Sequence, residues 1–156
     1  KGLKNFKGVQ RRFNFIFKHH DSLFFDDYAH HPTEIKEVLN SVKKVYKNSE
    51  IICVFQPHRI SRLSRLRKEF SKAFIDADRV ILCPIYKAGE NLKLKFDYFK
   101  FAKEIIRNSK VELIMINNER ELAKYVKNNI YRDNIVIGMG AGTISNWMRN
   151  LPKLIK

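Results

Sequence analysis

Apolar residues change their spacing along this chain, and the spacing separates strands from helices. Phe13-Asn14-Phe15-Ile16-Phe17 and Leu23-Phe24-Phe25 are short aromatic-rich runs separated by Lys18 to Ser22, a pattern that predicts two neighbouring antiparallel strands. Pro32 suits a first helical turn, and Ile35, Val38, Leu39, Val42 and Val45 then fall on one stripe, predicting a helix from about Thr33 to Tyr46. Ile51 to Phe55 is a continuous apolar run of the kind a parallel strand buried on both faces requires, and Leu63, Leu66, Phe70 and Phe74 return at helical spacing. The strand-then-helix unit recurs as Val80 to Cys83 before Tyr98 to Asn108, as Val111 to Ile116 before Glu119 to Asn129, and as Ile135 to Ile137 before Ile144 to Arg149. Such alternation predicts an α/β fold, a Rossmann-like and mostly parallel sheet flanked by helices, with a short antiparallel strand pair at its N-terminal end. Only Lys87 to Lys95 reads as a longer polar loop.

Composition narrows the class without naming a function. The 156 residues, 44% of them hydrophobic, suffice for one domain with a sizeable core. Apolar runs such as Leu113 to Ile116 are far too short to span a bilayer, and Lys1 to Lys18 lacks the apolar stretch of a signal peptide, so a cytoplasmic protein without membrane insertion is expected. Cys53 and Cys83 lie inside apolar runs with no partner at metal-ligand spacing, which predicts buried, reduced thiols. The formal charge of +15 invites a polyanionic partner, but Lys36, Lys43, Lys44, Lys47, Lys124 and Lys127 are spread over the expected solvent faces of helices. A single-strand binder needs one basic stripe with interleaved aromatics, so no nucleic-acid partner is expected.

Two polar clusters stand where strands hand over to helices, which is where open α/β sheets bind ligands: Asp26-Asp27-Tyr28-Ala29-His30-His31-Pro32-Thr33-Glu34 and Phe55-Gln56-Pro57-His58-Arg59-Ile60-Ser61-Arg62. The Asp26-Asp27 carboxylates could accept ribose hydroxyls beside a helix start whose free N–H groups attract an anion, or one Asp could simply cap the turn. His30 and His31 are adjacent and make a poor metal site, and no metal ligands are assigned. His58, Arg59 and Arg62 combine a titratable ring with two cations suited to phosphate or carboxylate, with structural salt bridging as the alternative. Gly138-Met139-Gly140-Ala141-Gly142 looks like a phosphate turn but lacks G-x-G-x-x-G spacing, and tight strand-to-helix packing explains it equally well. No G-x-x-x-x-G-K-[ST] loop is present, so the chain cannot cradle ATP phosphates by that route.

At these residues the chain resembles the C-terminal domain of the Mur ligases. The resemblance is carried, in the family's order, by Gly8-Val9-Gln10-Arg11-Arg12-Phe13, the two clusters, Asp76-Ala77-Asp78, Ile85-Tyr86-Lys87-Ala88-Gly89-Glu90 and Met139-Gly140-Ala141-Gly142. Gln56-Pro57-His58-Arg59, with Ser61 and Arg62, is similar to the alanine-adding branch, whereas the branch that recycles murein tripeptide carries an Arg-Ser-Asn type sequence there. Ala29 stands where alanine-adding members usually have Gly, Ile60 where they have an aromatic, and Thr143 where Asp commonly follows the glycine turn.

The resemblance implies residues 1–13 as a linker from a central ATPase domain and 14–156 as the C-terminal domain, with the N-terminal UDP-sugar domain also missing. It further implies ATP-dependent joining of L-alanine to UDP-N-acetylmuramate in peptidoglycan precursor synthesis through an acyl phosphate. ATP or ADP is the implied nucleotide, and magnesium belongs to the full-length enzyme with ligands mostly outside this stretch. Arg12 then matches a contact to nucleotide phosphates and Asp27 the acid that holds the ribose. Tyr28, His30, His58, Arg59 and Arg62 match the alanine and acyl-phosphate end, with His58, Arg59 and Arg62 as the catalytic set, holding anionic oxygens rather than acting as nucleophiles. Against this stand the recycling ligase and, from another class, a basic α/β polyanion-binding module, which a steep salt dependence of oligonucleotide binding would reveal.

Overall fold

The computed structural model describes residues 12–90 and 95–156, and the segments 1–11 and 91–94, with the first residues of the Gly8 to Phe13 signature, lie outside this description. The elements run β1 (Asn14–His19), β2 (Ser22–Asp27), α1 (Pro32–Val45), β3 (Glu50–Phe55), α2 (Ile60–Arg65), α3 (Arg67–Ser71), β4 (Arg79–Leu82), α4 (Tyr98–Ser109), β5 (Glu112–Met115), α5 (Glu119–Asn129), β6 (Asn134–Met139) and α6 (Ile144–Leu154). They build one six-stranded sheet in the order β1-β2-β6-β3-β4-β5. The β1–β2 pair is antiparallel and every other pairing is parallel, as the sequence predicts.

Successive strand residues point to opposite faces, and helices cover both. Phe25, Ile51, Cys53, Phe55, Val80 and Leu82 pack under α1, α2, α3 and α4. Phe24, Ile52, Val54, Ile81, Cys83 and Val136 pack under α5 and α6. Residues Ile51 to Phe55 are each 0% exposed, which is why that run is apolar without alternation. The two thiols are free, lie on opposite faces, and are pushed well above the usual cysteine range by burial.

One expected element differs. The helical spacing of Leu63 to Phe74 is realised as two short helices, because Leu66 (φ −110°, ψ 25°) closes α2 and opens α3. The break keeps Leu63, Phe70 and Phe74 buried against the same face while turning the chain. The helix predicted from Ile144 continues to Leu154 with Pro152 inside it.

Topology sets the location of a site. The chain passes from β2 through α1 to β3, moves outward to β4 and β5, and returns through α5 to place β6 between β2 and β3. Strand order therefore reverses at β2–β6–β3, and open sheets of this type bind ligands at the carboxyl ends beside such a reversal.

Candidate functional site

Parallel register brings the singled-out motifs to one edge: Asp27 pairs with Met139, Met139 with Phe55, and Phe55 with Leu82. The polar clusters begin at those residues or directly after them.

At the β2-to-α1 turn Asp27 is 5% exposed, and both carboxylate oxygens already hold a backbone donor: Oδ2 accepts from Phe13 N at 2.7 Å and Oδ1 from Ala29 N at 2.7 Å. Each oxygen keeps a further lone pair. Burial raises the Asp27 carboxyl above the usual range against the pull of those donors, and the nearby acids Asp26 and Glu34 raise it further. With Arg12, Tyr28, Ala29, Thr33 and Glu34 it lines a cleft of about 620 Å³, room for a nucleoside-sized ligand, and an acceptor beside a guanidinium suits a ribose and its phosphates.

Two expectations for this turn change. Asp26 does not face the cleft: it is 0% exposed, accepts from Ser145 Oγ, and lies 3.5 Å from Arg149 Nη2 on the α6 side. The start of α1 is not an open anion site either, because a capping box fills it. Glu34 Oε2 accepts from His30 N and His31 N, each at 3.0 Å, and His31 Nδ1 accepts from Thr33 N at 3.4 Å. Burial opposes ionisation of Glu34, yet those donors prevail and hold its carboxyl below the usual range. Ala29 has no positive φ, so its backbone does not require the glycine usual in alanine-adding members.

A row of rings joins this turn to the next. Tyr28 and His30 meet edge-on at 5.0 Å, His30 and His58 at 5.7 Å, and His58 stacks on Tyr86 at 5.7 Å. His30 Nδ1 lies 2.9 Å from the Tyr28 carbonyl, which only accepts, so this nitrogen carries the proton. His58 Nδ1 lies 3.1 Å from Arg62 Nη1, which only donates, so the neutral ring carries its proton on Nε2. Burial, then Arg62, His30 and Arg59, hold His58 below the usual histidine range, with Glu90 opposing.

Arg59, at the N-cap of α2, has φ 69° and ψ 131°, a conformation that an L side chain rarely adopts and that is held at about 1–3 kcal/mol of strain. The backbone of the neighbouring loop fixes it: Tyr86 N donates to Pro57 O at 2.8 Å and Arg59 N to Tyr86 O at 2.9 Å.

The glycine turn after β6 serves packing. Gln56, 3% exposed, accepts from Ile144 N at 3.0 Å and donates through Nε2 to Thr143 Oγ1 at 3.0 Å, occupying the start of α6. A Cβ on Gly142 would lie 2.5 Å from both Gln56 Oε1 and Tyr86 Cγ, so only glycine lets these side chains approach. Thr143, where Asp is common in the family, is part of this contact.

The structure therefore brings Tyr28, His30, His58, Arg59 and Arg62 to one edge, with Arg12 and Asp27 in the adjoining cleft. Sequence reasoning placed Tyr86, Glu90 and Gln56 in motifs without giving them a part in the site. Their contacts span 27 or more residues and leave no local spacing to read. Among the described residues no group of three or more His, Cys, Asp or Glu side chains is arranged to hold a metal, and no helix is long and apolar enough to cross a membrane.

Comparison with known proteins fits this edge to a family. A family model, "Mur ligase, glutamate ligase domain", matches residues 11–142. The UDP-N-acetylmuramate–L-alanine ligase of Pelagibacter ubique is 66% identical over 155 residues, covering 99% of this chain and 33% of that protein. The ligase of the same name from Rhizobium etli is 36% identical over 156 residues, covering 100% of this chain and 33% of its own length. The crystal structure of UDP-N-acetylmuramate-alanine ligase from Thermotoga maritima superposes with a TM-score of 0.71 at 29% identity, over 97% of this chain and 31% of that one. A murein peptide ligase from Psychrobacter arcticus, TM-score 0.75 at 19% identity over 98% of this chain and 31% of that one, shares the fold. The chain spans about a third of the length of these relatives. The match over residues 11–142, joined to these relatives, shows that the chain belongs to the Mur ligase family, as its C-terminal, glutamate-ligase domain.

Proposed function

We propose that this domain is part of a cytoplasmic ATP-dependent ligase that joins L-alanine to UDP-N-acetylmuramate in peptidoglycan precursor synthesis. The carrying observation is the convergence of Asp27, from β2, and the His58–Arg62 pair, from β3, on one edge linked by the ring row. The 66% identity to a ligase of that name over nearly the whole chain supports it. Residues 1–13 are the linker to the rest of the polypeptide.

In this reading a muramate carboxylate oxygen attacks the γ-phosphorus of ATP and ADP leaves. The free amine of L-alanine attacks the acyl carbon, an amine proton is lost, and the tetrahedral intermediate expels phosphate as the amide forms. Arg12 holds nucleotide phosphates, and Asp27 uses its remaining lone pairs for the ribose hydroxyls. Tyr28 and His30 line the amino-acid end. Arg59 and Arg62 hold carboxylate and phosphoryl oxygens as charge develops. His58 acts there as an Nε2–H donor, because its Nδ1 is occupied by Arg62. Magnesium, with ligands mostly elsewhere in the polypeptide, supplies charge neutralisation at the phosphates.

The test is phosphate release by the complete enzyme, expected only with ATP, UDP-N-acetylmuramate and L-alanine together. The isolated domain should show none, lacking a phosphate loop. Turnover with the tripeptide but not L-alanine would transfer the domain to the recycling branch, and no turnover with either would overturn the reading.

A further inference from the structure

The second turn of the site is held together by a carboxylate from elsewhere in the chain. Helix α2 begins at Ile60 with Arg59 at its N-cap, and an arginine has no acceptor with which to cap. The missing acceptor comes from 30 residues further on: Glu90 Oε2 accepts from Ile60 N at 2.8 Å and from Ser61 N at 3.3 Å, and Oε1 accepts from the Ser61 hydroxyl.

A tight turn delivers Glu90. Glu90 N donates to Lys87 O at 3.0 Å across Ala88 (φ 51°) and Gly89 (φ 77°), the two successive positive φ values of a type I′ turn. The same loop makes the Tyr86 bridge to Pro57 and Arg59 and stacks Tyr86 on His58. The segment from Pro57 to Ser61 is thus tied by backbone on one side and by the Glu90 carboxylate on the other, with the strained Arg59 between the ties. The Ser61 hydroxyl outweighs the opposing effect of burial and, with the Ser61 and Ile60 N–H groups, keeps the Glu90 carboxyl below the usual range, so the tie stays charged at neutral pH.

We propose that Glu90 is a positioning residue for the ligation step, setting Arg59 and Arg62 at the alanine and acyl-phosphate end by capping α2 from the neighbouring loop. The inference rests on the reading of Arg59 and Arg62 as the groups that hold the reacting oxygens. It assigns Glu90 no contact with substrate. Misplacement of a positioned group by about 1 Å can lower a rate on the order of 100-fold.

The experiment compares Glu90→Ala, Glu90→Gln and Arg62→Lys in the complete enzyme, with the melting temperature of each and separate KM values for L-alanine and ATP. Glu90→Ala is expected to lower kcat/KM for L-alanine on the order of 10–100-fold with the KM for ATP unchanged and the melting temperature lowered by only a few degrees, as the loss of one helix cap implies. Glu90→Gln keeps an oxygen for Ile60 N and should recover part of that loss. Wild-type kinetics in Glu90→Ala, with Arg62→Lys impaired, would overturn the inference and leave the function standing. Wild-type kinetics in both Glu90→Ala and Arg62→Lys would overturn the underlying reading. A fall in melting temperature with equal losses toward both substrates would mark Glu90 as merely structural and also overturn it. Should Glu90→Ala fail to fold, Glu90→Gln decides by the same KM comparison.

Discussion

The two ends of the sheet treat their polar groups differently. At the amino end the first residues of five strands form one chain in spatial order, from β2 through β6, β3 and β4 to β5. Ser22 Oγ bonds Asn134 Oδ1 at 3.2 Å, Asn134 Nδ2 bonds Glu50 Oε2 at 2.8 Å, and Arg79 reaches both Glu50 and Glu112 at 3.0 Å. Each charge there meets its complement on the neighbouring strand. At the carboxyl end His58, Arg59 and Arg62 gather beside Glu90, whose carboxylate is already engaged by the start of α2. One end satisfies itself, and the other keeps cationic donors that an anionic ligand can satisfy. Substitutions at the two ends should therefore separate stability from activity.

The largest expected effect is on activity at the carboxyl end. Arg59→Lys keeps the charge but loses the planar two-pronged donor, and the complete enzyme should lose about 2–4 kcal/mol in kcat/KM, comparable to deleting an oxyanion donor. Melting should stay within about a degree or two of the wild type, since surface changes away from packing contacts are usually within about 0.5 kcal/mol. An unchanged kcat/KM would remove Arg59 from the site.

The amino end should give the reverse result. Arg79→Leu deletes the link between Glu50 and Glu112, and because those acids are part-exposed and can rehydrate, the loss in stability is about 1 kcal/mol. Ligase kinetics should be untouched. A drop in kcat/KM at constant stability would erase the distinction between the two ends.

What the sequence reveals follows the same division. The strands, most helices and the buried thiols are legible because burial imposes period on local sequence, as in Ile51 to Phe55 or the Ile35–Leu39–Val42 stripe. The first turn of α1 is legible from Pro32, whereas the His31–Glu34 capping box that closes its start to an anion is not, because the free N–H groups of a helix start suit an anion equally well until a side chain is seen to fill them. Which of Asp26 and Asp27 faces the cleft is not legible, since alternation alone sends them to opposite sides and only the position of Ser145 and Arg149 decides which. The same holds for Gln56, Tyr86 and Glu90, whose partners come from distant segments. The break at Leu66 also escapes notice, because its apolar spacing is that of an unbroken helix.

A smaller effect should sharpen the comparison by changing stability at the functional end. Arg59→Gly relieves a backbone strain of about 1–3 kcal/mol, set against roughly 0.5–1 kcal/mol for the added freedom of glycine in the unfolded chain. The net is a stabilisation of about 1 kcal/mol, readable as a rise in the denaturation midpoint of the domain, together with loss of ligase activity. A lowered midpoint would show that the Arg59 side chain, rather than the loop around it, holds that conformation.

The smallest effect is a pH dependence carried by His58. Protonation would have to occur at Nδ1, the nitrogen that already accepts from Arg62. Burial, Arg62, His30 and Arg59 disfavour it, while Glu90 favours it. The folded ring therefore titrates below the unfolded value of 6.5. With the folded pKa depressed, its contribution to stability is fully present above about pH 6.5 and is lost as pH falls through the folded pKa, because the unfolded chain takes up a proton that the folded one refuses. Wild type should consequently lose stability relative to His58→Gln across that window, and the His58 ring resonances should titrate with a midpoint below 6.5. Arg62→Leu should move that midpoint upward by removing the nearest cation. A midpoint at or above 6.5 in the wild-type domain, or pH–stability curves that run parallel with and without His58, would mean that Arg62 does not hold the ring neutral and that the donor role given to Nε2–H lacks its basis.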